Sequence, residues 1–238
     1  KRAEFKAYLY SKFYLIFVKL FLNDNSIFVV QTNWMQEALV LKNFVNRVYV
    51  IKPDINLPSS VKSYSAYPLV FLYPATPLFY KNHLFLVKVI SALADDIAFN
   101  SVVLQVTFSL GDYPEFDILV RRLSIEKNIC YLGYLDQTDL YNKYQECSAV
   151  LFPSFIETFG LPLAEAASFG KFVFASDLPY AKDVLSSYSK VFFCDHRSEL
   201  DWVNALKRYS VNQEAIEGDI VAPFKMDSNW EDFFKLLD

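Results

Sequence analysis

The stretch "FIETFGLPLAEAASFGK" (155–171) sets two carboxylates, Glu157 and Glu165, on either side of seven residues that include Gly160, Leu161 and Pro162. Gly160 is placed to cap a helix, with Leu161 and Pro162 in the first turn, where proline's missing N–H costs little. Glu165 then lies about one and a half turns into that helix, while Glu157 stays in the loop before it. Carboxylates so differently mounted do not suit an acid/base pair acting on one bond. They suit a grip on two hydroxylated parts of one extended ligand, a ribose at one end and a sugar at the other, with the helix N–H groups facing an anionic link. The competing structural explanation, acids complementing a helix dipole, accounts for Glu157 but poorly for Glu165, which stands among Leu163, Ala164, Ala166 and Ala167.

Two more junctions have residues suited to the same ligand. "PATPLFYKNH" follows an apolar run and opens a helix near Lys81, whose ammonium would stand beside a phosphate at the helix start. A solvated first-turn lysine is the alternative, although the dipole disfavours a cation there unless an anion compensates it. Asn82 is placed to cap this helix, and His83 reads as a helix-surface residue. Further on, Gly133 permits a tight turn, and the backbone around Tyr134 would meet the edge of a planar base or be a plain strand-to-helix turn.

The elements that must position these residues follow from the apolar pattern. The runs 69–73, 102–106, 129–132, 149–153, 172–176 and 191–193 are strand-length and lack clean alternation, as expected for strands buried on both faces. Helix-like segments lie between them, so the order implies a Rossmann-like α/β domain with a doubly wound parallel sheet. Ligands of such sheets bind where strand carboxyl ends meet helix amino ends. The first fifty residues read as the end of a preceding domain: a helix over about 3–22, a strand at 26–32, a helix from 33 to about 46 and a strand at 47–51. The expected division is 1–50 as a remnant of an amino-terminal domain, 51–66 as a connection, 67–224 as the complete domain and 225–238 as a terminal helix that crosses back, capped by Ser228 or Asn229.

Composition narrows the function classes. With 53% apolar and 21% charged residues the chain is a folded globular protein, and a net charge of −4 argues against a nucleic-acid partner. Residues 1–20 depart from this, carrying five cations against Glu4 along with many aromatics. That helix would lie on an anionic membrane face or, equally, be an ordinary domain surface. No segment reaches the roughly 20 apolar residues of a membrane span. Cys130, Cys147 and Cys194 are widely spaced and odd in number, which fits a reducing cytoplasm and no zinc site.

"FPSFIETFGLPLAEAASFGKFVFASD" resembles the signature of retaining glycosyltransferases of the GT-B fold, most closely glycosyltransferase family 4. "YPATPLFYKNHLFLVKVI", "ICYLGYLDQTDLYNKYQECSAVLFPS", "VVQTNWM" and the closing tryptophan helix resemble the family's other landmarks in order and spacing. The resemblance implies the carboxyl-terminal, donor-binding domain with part of the amino-terminal domain. It implies a hexose moved from a UDP- or GDP-linked donor to a glycan or lipid-linked acceptor, without a cofactor or bound metal, in the cytoplasm or on the inner membrane face. By the same resemblance Lys81 and Glu157 form the catalytic pair, the first stabilising the departing diphosphate and the second holding the donor sugar. Glu165 takes the ribose hydroxyls, the backbone of Thr158, Phe159, Gly160 and Leu161 lies against sugar and diphosphate, and the Tyr134 loop meets the base. Thr76 stands where many members have an arginine, so one cationic phosphate contact is missing. With most of the acceptor domain absent, the chain alone is expected not to transfer the sugar. The alternatives are a non-catalytic partner or regulatory module of the same fold, and a sugar-nucleotide epimerase, whose acid/base side chains are not evident.

Overall fold

The fold is taken from a computed structural model, which describes residues 13, 16, 18, 20, 21, 23, 26–41, 47–55, 69–211, 224 and 229–235. The chain divides into two compact units, Lys1–Pro53 with Ser228–Asp238, and Asp54–Asp227.

In the smaller unit β1 (Phe28–Val30) and β2 (Val48–Val50) pair in parallel, joined through helix α1 (Asn33–Leu41). Gln36 of α1 donates from Nε2 to the Val48 carbonyl at 2.6 Å, tying the helix to β2. The predicted continuation of α1 through residue 46 falls outside the described residues, as do most of the predicted 3–22 helix and residues 56–66 of the predicted 51–66 connection. The terminal helix spans Trp230–Phe234. Asn229, expected to cap it, has its side chain engaged elsewhere: Nδ2 donates to the Val50 carbonyl at 2.8 Å and Oδ1 accepts from the Lys52 N–H at 3.2 Å. The amide side chain thus supplies both a donor and an acceptor to the backbone at and just after the end of β2. Ser228, the other expected cap, lies outside the described residues.

The larger unit alternates strand and helix throughout: β3 (Val70–Tyr73), α2 (His83–Ala94), β4 (Val103–Val106), α3 (Pro114–Arg122), β5 (Ile129–Tyr131), α4 (Gln137–Glu146), β6 (Ala149–Phe152), α5 (Leu161–Ser168), β7 (Phe172–Ser176), α6 (Pro179–Val184), β8 (Val191–Cys194) and α7 (Glu199–Val211). The six strands form one parallel sheet in the order β5-β4-β3-β6-β7-β8. All six predicted runs become strands. β6 and β7 are buried at every position, while the edge strands β5 and β8 are only partly so, which is why the inner runs show no alternation. Phe71, Phe152 and Phe174 are fully buried, each stabilising the fold by roughly 1.5–3 kcal/mol.

Helices α3 and α7 pack on α2, and α5 packs on β6, β7 and α6. Trp202, Leu206 and Tyr209 form the buried stripe of α7 at helical spacing, with the Trp202 ring edge-on to Phe85 at 5.8 Å. Lys171 is buried, its ammonium donating to the carbonyls of Gln145 and Cys147 at the end of α4, where a helix dipole favours a cation. All three cysteines are free thiols, and among the described residues no helix is long and apolar enough to cross a membrane.

Candidate functional site

The first strand of the larger unit, β3, lies beside its fourth, β6. The chain leaves β3 toward β4 and leaves β6 toward β7, in opposite directions along the sheet. The loops beyond the two strands therefore diverge and open a crevice at their carboxyl ends, the place where doubly wound sheets bind ligands. Lys81 comes from the loop after β3, and Glu157 through Leu161 from the loop after β6.

These loops are tied together before any side chain meets a ligand. The Tyr80 carbonyl accepts from the Phe155 N–H at 3.0 Å and from Ser154 Oγ at 3.2 Å. One residue on, the Lys81 carbonyl accepts from the hydroxyl of Tyr73, the last residue of β3. Tyr180 of α6 donates to the Ser154 carbonyl at 2.7 Å. Asn82 adds a third segment, donating from Nδ2 to the carbonyls of Pro153 at 3.3 Å and His196 at 3.1 Å.

Lys81 Nζ meets Glu157 Oε1 at 2.5 Å, with the two side chains only 15% and 12% exposed. The ammonium also stands 5.6 Å from the ring centroids of Tyr80 and of Phe152. A lysine so placed has its charge matched by one carboxylate and two ring faces. Its position differs from the predicted first helical turn. Lys81 ends a short 3-10 turn, Phe79–Lys81, and α2 begins only at His83. The lysine thus precedes the Asn82 cap of α2 instead of standing in its first turn, and the Glu157 carboxylate is the anion that compensates a cation beside the helix start.

Asn82 holds the capping position of α2 with φ 61° but makes no side-chain cap; its amide bridges the loops instead. The left-handed conformation, which asparagine tolerates better than most residues, turns the side chain away from the helix N–H groups. His83 is not on the surface as expected. It is buried, with Nε2 3.2 Å from the Ala75 carbonyl and its ring packed against Tyr73, Phe108, Tyr113 and Phe116. Burial pushes its pKa down to about 4, so it is a neutral core residue at ordinary pH. The broad apolar face of α2, buried from His83 to Leu93, draws the imidazole inward.

After β6 the chain reaches Gly160, the cap of α5, at φ 84°. A Cβ there would lie 3.2 Å from Leu163 Cδ1 and 3.4 Å from the Tyr180 ring, so glycine meets both the backbone and the space requirement. Leu161 and Pro162 occupy the first turn. Phe159 is buried, while Thr158 and Leu161 face solvent. Glu165 follows in the second turn, 8% exposed, with Oε2 accepting from the hydroxyl of Tyr144 on α4 at 2.9 Å. Burial pushes its carboxyl pKa up, and the tyrosine hydrogen bond pulls it partly back. The two glutamates thus have separate partners, Lys81 for one and Tyr144 for the other.

Lys81 and Glu157 meet between the loops after β3 and β6, and the capped start of α5 follows Glu157 three residues on. Tyr134 belongs to a loop further along the same carboxyl edge: it follows β5, two strands away from β3 at the sheet edge, and its side chain is 91% exposed. Gly133 before it has φ 72° and donates its N–H to the Phe108 carbonyl, holding the tight turn. Thr76, in the place of a second cation, is exposed on the β3 loop. Tyr73, Ser154 and Tyr144 were not among the residues picked out by sequence. Nothing local marks them, since each acts on a residue brought near by the sheet. Among the described residues no group of three or more His, Cys, Asp or Glu side chains is placed to hold a metal ion.

Residues 65–217 match the family described as "Glycosyl transferases group 1". No curated protein matches the chain by sequence. In structure it is similar to a variant of S. aureus TarM in complex with fondaparinux, alpha-GlcNAc-glycerol and UDP, with TM-score 0.66, 17% identity, and 78% of this chain against 37% of that one. Sucrose-phosphate synthase from Thermosynechococcus elongatus follows at TM-score 0.62 and 18% identity, over 78% and 49% of the two chains. Anabaena HepE in complex with UDP and glucose matches at TM-score 0.63 and 17% identity, over 79% and 55%. At such identities the likeness is one of fold. Each of these proteins is longer than the present chain, which spans 37% to 55% of their lengths.

Proposed function

The chain belongs to the glycosyl transferases group 1 family, and we propose that its larger unit is the donor half of a retaining hexosyltransferase of the family 4 type. The observation that carries this reading is the arrangement at the switch point of the sheet. Lys81 is paired with Glu157 in the loop that leads into the glycine-capped start of α5, and Glu165 is buried in the second turn of that helix.

On this reading a UDP- or GDP-linked sugar lies across the crevice with its diphosphate at the α5 N-terminus. The orphan N–H groups of that turn and the Lys81 ammonium take up the charge that grows on the diphosphate as the sugar departs. Glu157 accepts from hydroxyls of the sugar while its other partner is Lys81, so the sugar and phosphate ends are held by one ion pair. Glu165 accepts the ribose hydroxyls, and the backbone of Thr158 through Leu161 closes on the sugar. The turn at Gly133 and Tyr134 is assigned the base. Departure and attack on the same face of the sugar give retention, with charge stabilisation by Lys81 and the helix start and without a bound metal. The acceptor, a glycan or lipid-linked saccharide, is held by a domain mostly outside this chain.

Calorimetric titration of the 238-residue chain with UDP-, GDP- and ADP-linked hexoses tests the reading. One of them is expected to bind with a dissociation constant between about 1 μM and 1 mM, the usual span for enzyme substrates. Absence of binding across the panel sinks the donor-site assignment.

We also assign the enzyme a peripheral seat on the cytoplasmic membrane face. The helical positions Phe13, Ile16, Leu20 and Phe21 of the smaller unit expose apolar side chains, within a segment whose sequence balance is strongly basic. Such a face suits an anionic bilayer. Co-sedimentation with vesicles containing phosphatidylserine is expected to pellet the protein, and equal behaviour with neutral vesicles rejects that seat.

A further inference from the structure

Tyr144 is fully buried on α4, its ring stacked on Phe169 at 5.3 Å and 16°. Its hydroxyl reaches Glu165 Oε2 at 2.9 Å, the shorter of two contacts; the other is to the Pro162 carbonyl at 3.4 Å. A hydroxyl has one proton to donate, and the shorter contact to a carboxylate is the stronger claim on it. A buried tyrosine is an expensive way to fill space unless its hydroxyl is satisfied, and here a carboxylate one helix away satisfies it.

We propose that Tyr144 is the positioning residue of the nucleotide site, holding one oxygen of Glu165 so that the carboxylate presents its other oxygen to the ribose as an acceptor. This rests on the reading that Glu165 accepts the ribose hydroxyls. A vicinal diol offers two donors, and only an ionised carboxylate accepts from both without giving up an oxygen to its own proton. Burial works against that ionised form, and the Tyr144 hydroxyl is the group that favours it.

The side-chain donor that meets the Glu165 carboxylate is Tyr144. From α4 the side chains that feel the Glu165 charge are Tyr144 itself and Tyr141, and Cys147, just past the helix, neighbours Tyr144 with its thiol pushed by burial up to about 12. Strands β6 and β7, packed against α5, carry no titratable residue. On α6 the Tyr180 hydroxyl is turned to the Ser154 carbonyl, and the Lys182 ammonium to the Asp177 carboxylate, leaving Asp183 as the other charged residue of that helix. Lys171, just beyond α5, donates to the Gln145 and Cys147 carbonyls.

The test is the pH dependence of nucleotide-sugar binding, read by calorimetry from pH 5 to 8.5 on the full chain. UDP-glucose, GDP-mannose and ADP-glucose serve as probes because their diphosphate diesters do not titrate in that range. Wild-type affinity is expected to fall on acidification as Glu165 takes up its proton. In Tyr144→Phe the fall should begin at higher pH, giving about tenfold weaker binding than wild type at pH 6 and a gap of about threefold or less at pH 8. Uniform weakening with an unmoved midpoint, the result for a packing role alone, overturns the proposal. Should Tyr144→Phe fail to fold, Glu165→Gln carries the test: its affinity is expected to be flat over the range, and a persisting acid limb overturns the proposal as well. If the wild type binds none of the probes at any pH, the nucleotide-sugar reading itself falls. Wild-type binding with an unshifted limb in the variant overturns only the role of Tyr144.

Discussion

Glu165→Gln is expected to lose about a hundredfold in nucleotide-sugar affinity and, in the same protein, to gain thermal stability. On the proposed reading the loss follows from two ribose hydroxyls each bonding a charged acceptor, with roughly 1.4 kcal/mol forfeited per bond when the charge is removed. The gain follows from the burial of Glu165. A carboxyl whose folded pKa is raised stabilises the fold fully only below its unfolded pKa, and that contribution disappears as pH rises through the folded value. Above the folded value the ionised, 8% exposed carboxylate is therefore a cost that the neutral amide avoids, while the amide oxygen still accepts from Tyr144. Melting curves from pH 4 to 8 should show the variant ahead at neutral pH and the difference closing on acidification. Unchanged affinity would remove Glu165 from the ligand site; a lower melting temperature at pH 7 would remove the burial-cost argument. A residue that costs stability where it enables binding is the pattern expected of a functional site.

Lys81→Met is expected to act in the opposite way, destabilising the fold as well as weakening the ligand site. Removing one member of a mostly buried pair leaves Glu157 without its cation in a low-dielectric wall, at a cost of about 2–4 kcal/mol. Tyr73 and Tyr180 are close enough to Glu157 that its charge helps raise their pKa values, which places the carboxylate among side chains that offer it no cation. Adding Glu157→Gln to Lys81→Met should recover most of that stability, because the uncompensated charge goes with it. It should not recover the diphosphate contact, expected to be worth about a hundredfold in transfer rate in the complete enzyme. Urea denaturation of the single and double variants, set beside turnover, separates the two effects. Recovery of turnover by the double variant would mean that Lys81 serves only the fold. The exposed Thr76 sharpens this expectation, since the loop after β3 offers no second cation at that position.

The sheet was legible because its physics is local and repeated. Strands buried on both faces must be apolar along their length, and the six runs from 69 to 193 announce themselves for that reason. The α5 cap was legible for a similar reason: Gly160 followed by Leu161 and Pro162 meets a backbone requirement that few other residues satisfy. Lys81 and Asn82 were harder. The segment "LFYKNH" reads as the start of a helix, but a 3-10 turn comes first, and Asn82 spends its amide on two carbonyls from distant loops. Chain-local signals do not register a partner 71 or 114 positions away. His83 was placed on the surface because a lone histidine at a helix start is usually solvated; the depth of the α2 face decided otherwise. In α7 the stripe Trp202, Leu206 and Tyr209 stands in the sequence at helical spacing.

What the sequence by itself determined is the doubly wound alternation, the crevice at the strand ends, and the pair of glutamates mounted differently on one loop and helix. Only the tertiary structure decided the partner of each: Lys81 for Glu157, through a loop pinned at Tyr80, and Tyr144 for Glu165, through α4 packed beside α5. The reason is physical. Periodicity and capping are set by neighbours along the chain, whereas the ionisation of a buried carboxylate depends on desolvation and on one donor that only the packed helices bring within 2.9 Å.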